Sequence, residues 1–244
     1  MHPSIKKSAK ILCLTLLCVV APLTVASEAA ISLTDRIQIF EAWMETTRHT
    51  RSLPRISVGI VHQNKLVYSK GFGAADIISG TPITPDSLFS VASVTKSFTS
   101  IAIMQLVQGG VIGLNDPIVS VIPELYNLNS PHEEIERINL FALLTHTSGL
   151  PMNHAYPLNE SFPVIEELDS LLSGLEAQKL LFPPNTREHY SNLGLNIAGI
   201  ALERLPGMKY SDYVQEKVLS PIGMNSSSFK TELSEDLVTG YTSL

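Results

Sequence analysis

"SVASVTKSFTS", residues 90–100, carries a single charged side chain, Lys96. Widened to residues 87–115, the window still holds only that charge, among Leu, Phe, Val, Ile, Ala, Met and small polar residues. The pattern predicts a helix over 93–108, stopped by Gly109 and Gly110. Its apolar positions include Val94, Phe98, Ile101, Ala102, Ile103, Met104, Leu106 and Val107. They cover most of the circumference, the pattern of a largely buried helix. Ser93 and Lys96 stand three apart, which places them on one helix face, a turn from each other. Burial disfavours the charged form of a lysine. A neutral amine beside a serine hydroxyl is a general base beside a nucleophile. The N-terminus of the helix adds backbone N–H groups that favour negative charge developing near Ser93. The competing account is an ordinary helical lysine, since Ser-x-x-Lys alone arises by chance in many helices. Such a lysine snorkels among other polar residues, and this window offers few.

Upstream, "SLTDRIQIFEAWMETTRHT" places Ile37, Phe40, Trp43 and Met44 at helical spacing, with Thr34 or Asp35 as N-cap. Two β-rich runs follow, 56–62 and 66–73, around the turn residues Gln63, Asn64 and Lys65, and read as a hairpin. "SGTPITPDS" reads as a turn-rich connection, with no strand expected after residue 73. Downstream, "RINLFALLTHTSGLP" reads as a short helix ending in a turn. "SNLGLNIAGIALERL" and "YSDYVQEKVLSPIGM" read as two further helices. "LPMNHAYPLNESFP", with three prolines, is the longest structurally weak stretch.

The first 27 residues read as a secretory signal. Lys6, Lys7 and Lys10 precede an apolar run over 11–20 and then "APLTVAS", with cleavage expected after Ala26 or Ser27. An uncleaved anchor is the alternative, but the run is shorter than the ~20 residues that span a bilayer, and Pro22 interrupts it. Cleavage leaves no stable membrane anchor and a secreted or periplasmic protein. Cys13 and Cys18 both lie in the signal, so the mature chain has no disulfide, thiolate metal site or cysteine nucleophile. Removing the three lysines leaves 14 basic against 23 acidic residues, a net of −9. That argues against a nucleic-acid partner, which favours a basic face. About 217 residues remain, enough for one large domain burying roughly 70% of its unfolded surface.

Two more stretches carry candidate chemistry. In "HYSNLG", residues 189–194, Tyr190 offers a phenol that relays a proton, and Asn192 a donor and an acceptor. The plainer account makes Ser191 or Asn192 the N-cap of the next helix. In "LLTHTSGLP", His146 is either a base or a satisfied turn residue.

Together these residues resemble a family. "LFSVASVTKSFTSIAIMQLVQGGVIGLNDPI" is similar to the nucleophile segment of the serine β-lactamase and penicillin-binding protein superfamily. "YSKGFGAADIISGTPITPDSLF", "LLTHTSGLP" and "PPNTREHYSNLGLNIAG" fall in that family's order, and the resemblance covers about residues 55–229. A tyrosine in place of the first serine of Ser-Asp-Asn points to the branch of class C β-lactamases, D,D-peptidases of that type and related esterases. The resemblance implies an α+β, β-lactamase/transpeptidase-like fold, an antiparallel sheet with a large helical region. It implies that Ser93 forms an acyl-enzyme, that Lys96 and Tyr190 share proton transfer, and that Asn192 holds substrate and orients Lys96. The Ser93 N–H would be half of an oxyanion hole. The substrate would be a small molecule or peptide with a reactive carbonyl: a β-lactam, a D-Ala-type peptide or an ester. No metal or organic cofactor is implied, and oligomeric state stays open.

Two departures stand out. Asn185 in "PPNT" replaces the family's usual glycine, a mild change because Asn tolerates left-handed backbone angles. The basic-Ser/Thr-Gly triad of a late strand is absent, and "VTG" at 238–240 reads as loop. The expectation is therefore a signal over 1–27 and an incomplete hydrolase domain over 28–244, lacking the C-terminal strands of the sheet. A catalytically inactive remnant is the alternative function.

Overall fold

The structure, a computed structural model, describes residues 31–153, 168–229, 237, 238 and 240. The expected signal segment, the proline-rich stretch from residue 154 to 163 and Thr239 of the "VTG" stretch lie outside the described residues.

The chain opens with helix α1, Leu33–Thr50. Its N-cap is Ser32, not Thr34 or Asp35, because the Ser32 hydroxyl accepts from the Asp35 N–H at 3.1 Å. A hairpin follows: β1, Arg55–His62, and β2, Lys65–Asp76, paired antiparallel. Gln63 and Asn64 take φ of 49° and 58°, the left-handed pair that matches the right-handed twist of a two-residue hairpin. The "SGTPITPDS" stretch holds a strand where only a connection was expected. β3, Thr81–Pro82, pairs antiparallel with the end of β2, for a sheet order β1-β2-β3. A two-residue strand containing proline has no alternation by which the sequence could announce it. α1 packs on β2, with Phe40 edge-on to Tyr68 at 5.7 Å and Lys70 paired with Glu41 at 2.6 Å.

The Lys96 segment begins with a 3₁₀ turn, Ala92–Val94, and continues as α2, Thr95–Gln108. Gly110, at φ 70°, closes it: the Gly110 N–H donates to the Val107 carbonyl and the Val111 N–H to that of Leu106, both at 3.0 Å. This is the glycine-terminated ending that the Gly109–Gly110 pair predicts. The expectation of a largely buried helix is corrected: α2 buries Thr99, Ala102, Ile103 and Leu106, while Ile101 and Met104 are exposed.

The remaining helices build the core. They are α3, His132–Ile135; α4, Leu140–Leu144; α5, Asn192–Arg204; and α6, Tyr210–Val214, which runs on into a π-turn over Gln215–Leu219. α5 packs against α2, α4 and α6. Its Leu193, Ile197, Ala198, Ile200, Ala201 and Leu202 are fully buried. Each such large aliphatic side chain contributes about 1.5–3 kcal/mol relative to exposure. The result is an α+β fold, a small antiparallel sheet beside a helical body, and α5 fixes where its own first residues sit relative to α2.

Candidate active site

Ser93 lies in the 3₁₀ turn ahead of α2 and is exposed. Ala92, just before it, holds φ at 43°, a left-handed value uncommon for a residue with a Cβ. The tight turn still leaves Lys96 one turn on, and its ammonium donates to Ser93 Oγ at 3.1 Å. Lys96 itself is half-buried, so the near-complete burial suggested by the charge-free window is not what surrounds it.

Tyr190 arrives from the other side of the fold. Its hydroxyl donates to the same Ser93 oxygen at 3.0 Å across 97 positions of sequence. Lys96 Nζ stands 5.0 Å from the centre of the Tyr190 ring. The lysine beside it, and secondarily the serine hydroxyl, hold the Tyr190 phenol below the ordinary tyrosine range. Ser93, Lys96 and Tyr190 therefore form one hydrogen-bonded cluster, with Ser93 Oγ as the shared acceptor.

Both readings of "HYSNLG" have a place, on different residues. Ser191 is the N-cap of α5: its Oγ accepts from the Gly194 N–H at 2.8 Å and donates to the Pro151 carbonyl at 2.7 Å. The cap fixes the direction of the chain as it enters α5 and leaves Tyr190 outside the helix. Asn192 does not reach Lys96 by a hydrogen bond among the described residues. Its amide donates to Asn153 Oδ1 at 2.7 Å. Sequence reasoning missed Asn153, which lies in the weak proline-rich stretch and has no spacing signal.

The "HTSG" turn lies under this cluster. His146 follows α4 with φ 59°, and its N–H and that of Thr147 donate back to the Leu143 and Ala142 carbonyls at 3.4 and 2.8 Å. Gly149, at φ 79°, lies so close to the Phe182 carbonyl that an added Cβ would stand 2.2 Å from its oxygen. Asn185 takes φ 65°, and its N–H donates to the Thr147 carbonyl at 2.8 Å. Asparagine thus adopts the conformation that its tolerance for left-handed angles allowed. Beside Lys96, a cleft of about 350 Å³ is lined by Thr95, Thr99, Asn196, Tyr210 and Phe229 among others, and Thr99 and Tyr210 share a 2.8 Å hydrogen bond there.

The chain and its fold have counterparts among known proteins. The family model described as Beta-lactamase matches residues 40–243. Beta-lactamase-like protein 2 of Dictyostelium discoideum is 30% identical over 175 residues, 70% of this chain and 32% of its own. Protein flp of Staphylococcus aureus is 27% identical over 200 residues, 80% of this chain and 39% of its own. Among solved structures, the octameric penicillin-binding protein homologue from Pyrococcus abyssi superposes with a TM-score of 0.73 at 30% identity, over 84% of this chain and 48% of that one. The beta-lactamase/D-alanine carboxypeptidase of Yersinia pestis gives 0.71 at 26% identity, over 83% and 58%. The chain thus spans between a third and three fifths of the length of these relatives. With the family model matched over most of its length, and with Ser93, Lys96 and Tyr190 gathered by the fold, the chain belongs to the beta-lactamase family.

Proposed function

We propose that this chain is an exported serine hydrolase working through an acyl-enzyme on Ser93. The observation that carries the reading is the convergence of Lys96 Nζ and Tyr190 OH on Ser93 Oγ, at 3.1 and 3.0 Å. In the reaction Ser93 Oγ attacks the substrate carbonyl as its proton passes to the Tyr190–Lys96 pair. The pair then returns a proton to the leaving group, which is the work of a general acid–base couple. A phenol held below its ordinary range ionises more readily at neutral pH, and its phenolate is the acceptor for that proton. Asn192, with one amide hydrogen engaged by Asn153, presents its remaining polar atoms to substrate. The substrate class is a small molecule or peptide with an activated carbonyl: a β-lactam, a D-Ala-type peptide or an ester.

A second reading, a chain that keeps the cluster but does not turn over, draws support from the exposure of Ser93 and the half-burial of Lys96. Water at the nucleophile weakens the electrostatic stabilisation that a dry oxyanion site supplies. Intact-mass spectrometry after treatment with a serine-directed acylating probe separates the two. A single stoichiometric adduct, absent from Ser93→Ala, supports the hydrolase. No adduct on folded protein overturns it.

A further inference from the structure

His146 occupies a backbone position that glycine would hold at no conformational cost. It is the second residue past α4, after the C-cap Thr145, at φ 59°, where its N–H and that of Thr147 close the helix end. A side chain there is a structural expense, and this one is committed to the segment around Tyr190. Its ring packs on the Tyr190 ring, with centroids 4.5 Å apart and planes 38° apart. Its carbonyl accepts from the His189 N–H at 2.8 Å. Its Nδ1 accepts from the Ser191 N–H at 3.2 Å. One residue thus grips three consecutive positions, with Tyr190 in the middle.

We propose that His146 is a positioning residue for Tyr190: it is the platform that keeps the phenol aimed at Ser93 Oγ and beside Lys96. The proposal rests on the reading that Tyr190 handles the Ser93 proton. A tyrosine lying outside a helix on an exposed surface otherwise has free χ1 rotation, and 3.0 Å contacts fail with small rotations. Because Nδ1 is an acceptor, the neutral ring carries its proton on Nε2. Burial, and then the Lys96 charge, favour that neutral form, with Glu188 acting in the opposite direction. A neutral ring adds no positive charge of its own beside the phenol.

The test reads Tyr190 directly. Protein labelled with ¹³C at tyrosine Cζ is titrated by NMR, and Tyr190→Phe identifies the resonance among the seven tyrosines. In the wild type the Tyr190 midpoint lies below the ordinary value of about 10. His146→Asn keeps tolerance for a positive φ and removes the ring, and His146→Gly removes the whole side chain. In both, the midpoint rises toward about 10, and labelling by the acylating probe slows at unchanged probe affinity. The buried Tyr213 resonance, unmoved, reports that the variants are folded. A Tyr190 midpoint equal in wild type and both variants overturns the proposal, and so does an ordinary midpoint in the wild type. Failure of the hydrolase reading looks different: the wild type takes no label, while the titration still decides the role of His146.

Discussion

Ser93 Oγ accepts from two side chains of different acidity, and that pairing makes the residue more than a surface serine. The two donors come from segments with no sequence proximity. Each is expected to matter separately. Lys96→Ala and Tyr190→Phe each slow acylation of Ser93 by roughly 100- to 10,000-fold, the usual range for removing a proton-transfer group. Time-resolved intact mass measures this, and a variant that acylates at the wild-type rate removes its residue from the mechanism. Ala92 at φ 43° belongs to the same scale. A left-handed alanine costs about 1–3 kcal/mol and persists only where surroundings determine it. Here it turns the chain so that Ser93 projects at the start of α2.

At the scale of the element, helix ends do the placing. α4 is begun by Asn139, whose Oδ1 accepts from the Ala142 N–H at 2.8 Å, and ended by His146. This five-residue helix is too short to persist by itself. Asn139→Ala is expected to lower stability by about 1 kcal/mol, the typical worth of such a cap, as a shift in urea midpoint. An unchanged midpoint would mean that packing of Leu140 and Leu143 alone holds α4. The caps were partly legible. Ser191 at the head of α5 was one of two candidates, and Gly110 closes α2 where two glycines in a row call for it. Ser32 is not distinguished by sequence, because Thr34 and Asp35 stand within three positions of it and three cap-forming residues compete there.

Across the whole molecule, the helical body carries the core, and α1 packs on β2 of the sheet. β1 is an edge strand among the described residues, and Ile60, Val61, Leu66 and Val67 of the hairpin are exposed. Apolar edges of this kind pair with other copies. Val61→Lys is expected to reduce self-association, seen as a lower average mass in light scattering at high protein concentration; an unchanged mass exonerates the hairpin. Stability also depends on pH through His146. Its folded pKa lies below its ordinary value, chiefly because burial disfavours the imidazolium. The stabilisation is therefore complete above about pH 6.5 and is lost as pH falls from there toward the lower folded value. His146→Asn is expected to flatten the urea midpoint between pH 7.5 and 5.5; a slope equal to wild type assigns the loss to other groups.

The residue types of the candidate site, and most of the elements that carry them, were legible in the chain itself. Helix and hairpin signals are local: periodicity, turn residues and glycine stops act within a few positions. Ser93 and Lys96 share a face through spacing alone. The contact of Tyr190 with Ser93 is not local. It depends on α5 packing against α2 and on the Ser191 cap that sets the entry angle. Burial of α2 is likewise a property of what packs around it, which is why an apolar circumference still leaves Ile101 and Met104 exposed. His146 shows the limit most clearly. A histidine in a turn reads as a turn residue until its neighbour across 44 positions of chain is seen stacked upon it. Local signals choose the conformation of the backbone; which side chains then meet is decided by packing between segments far apart in sequence.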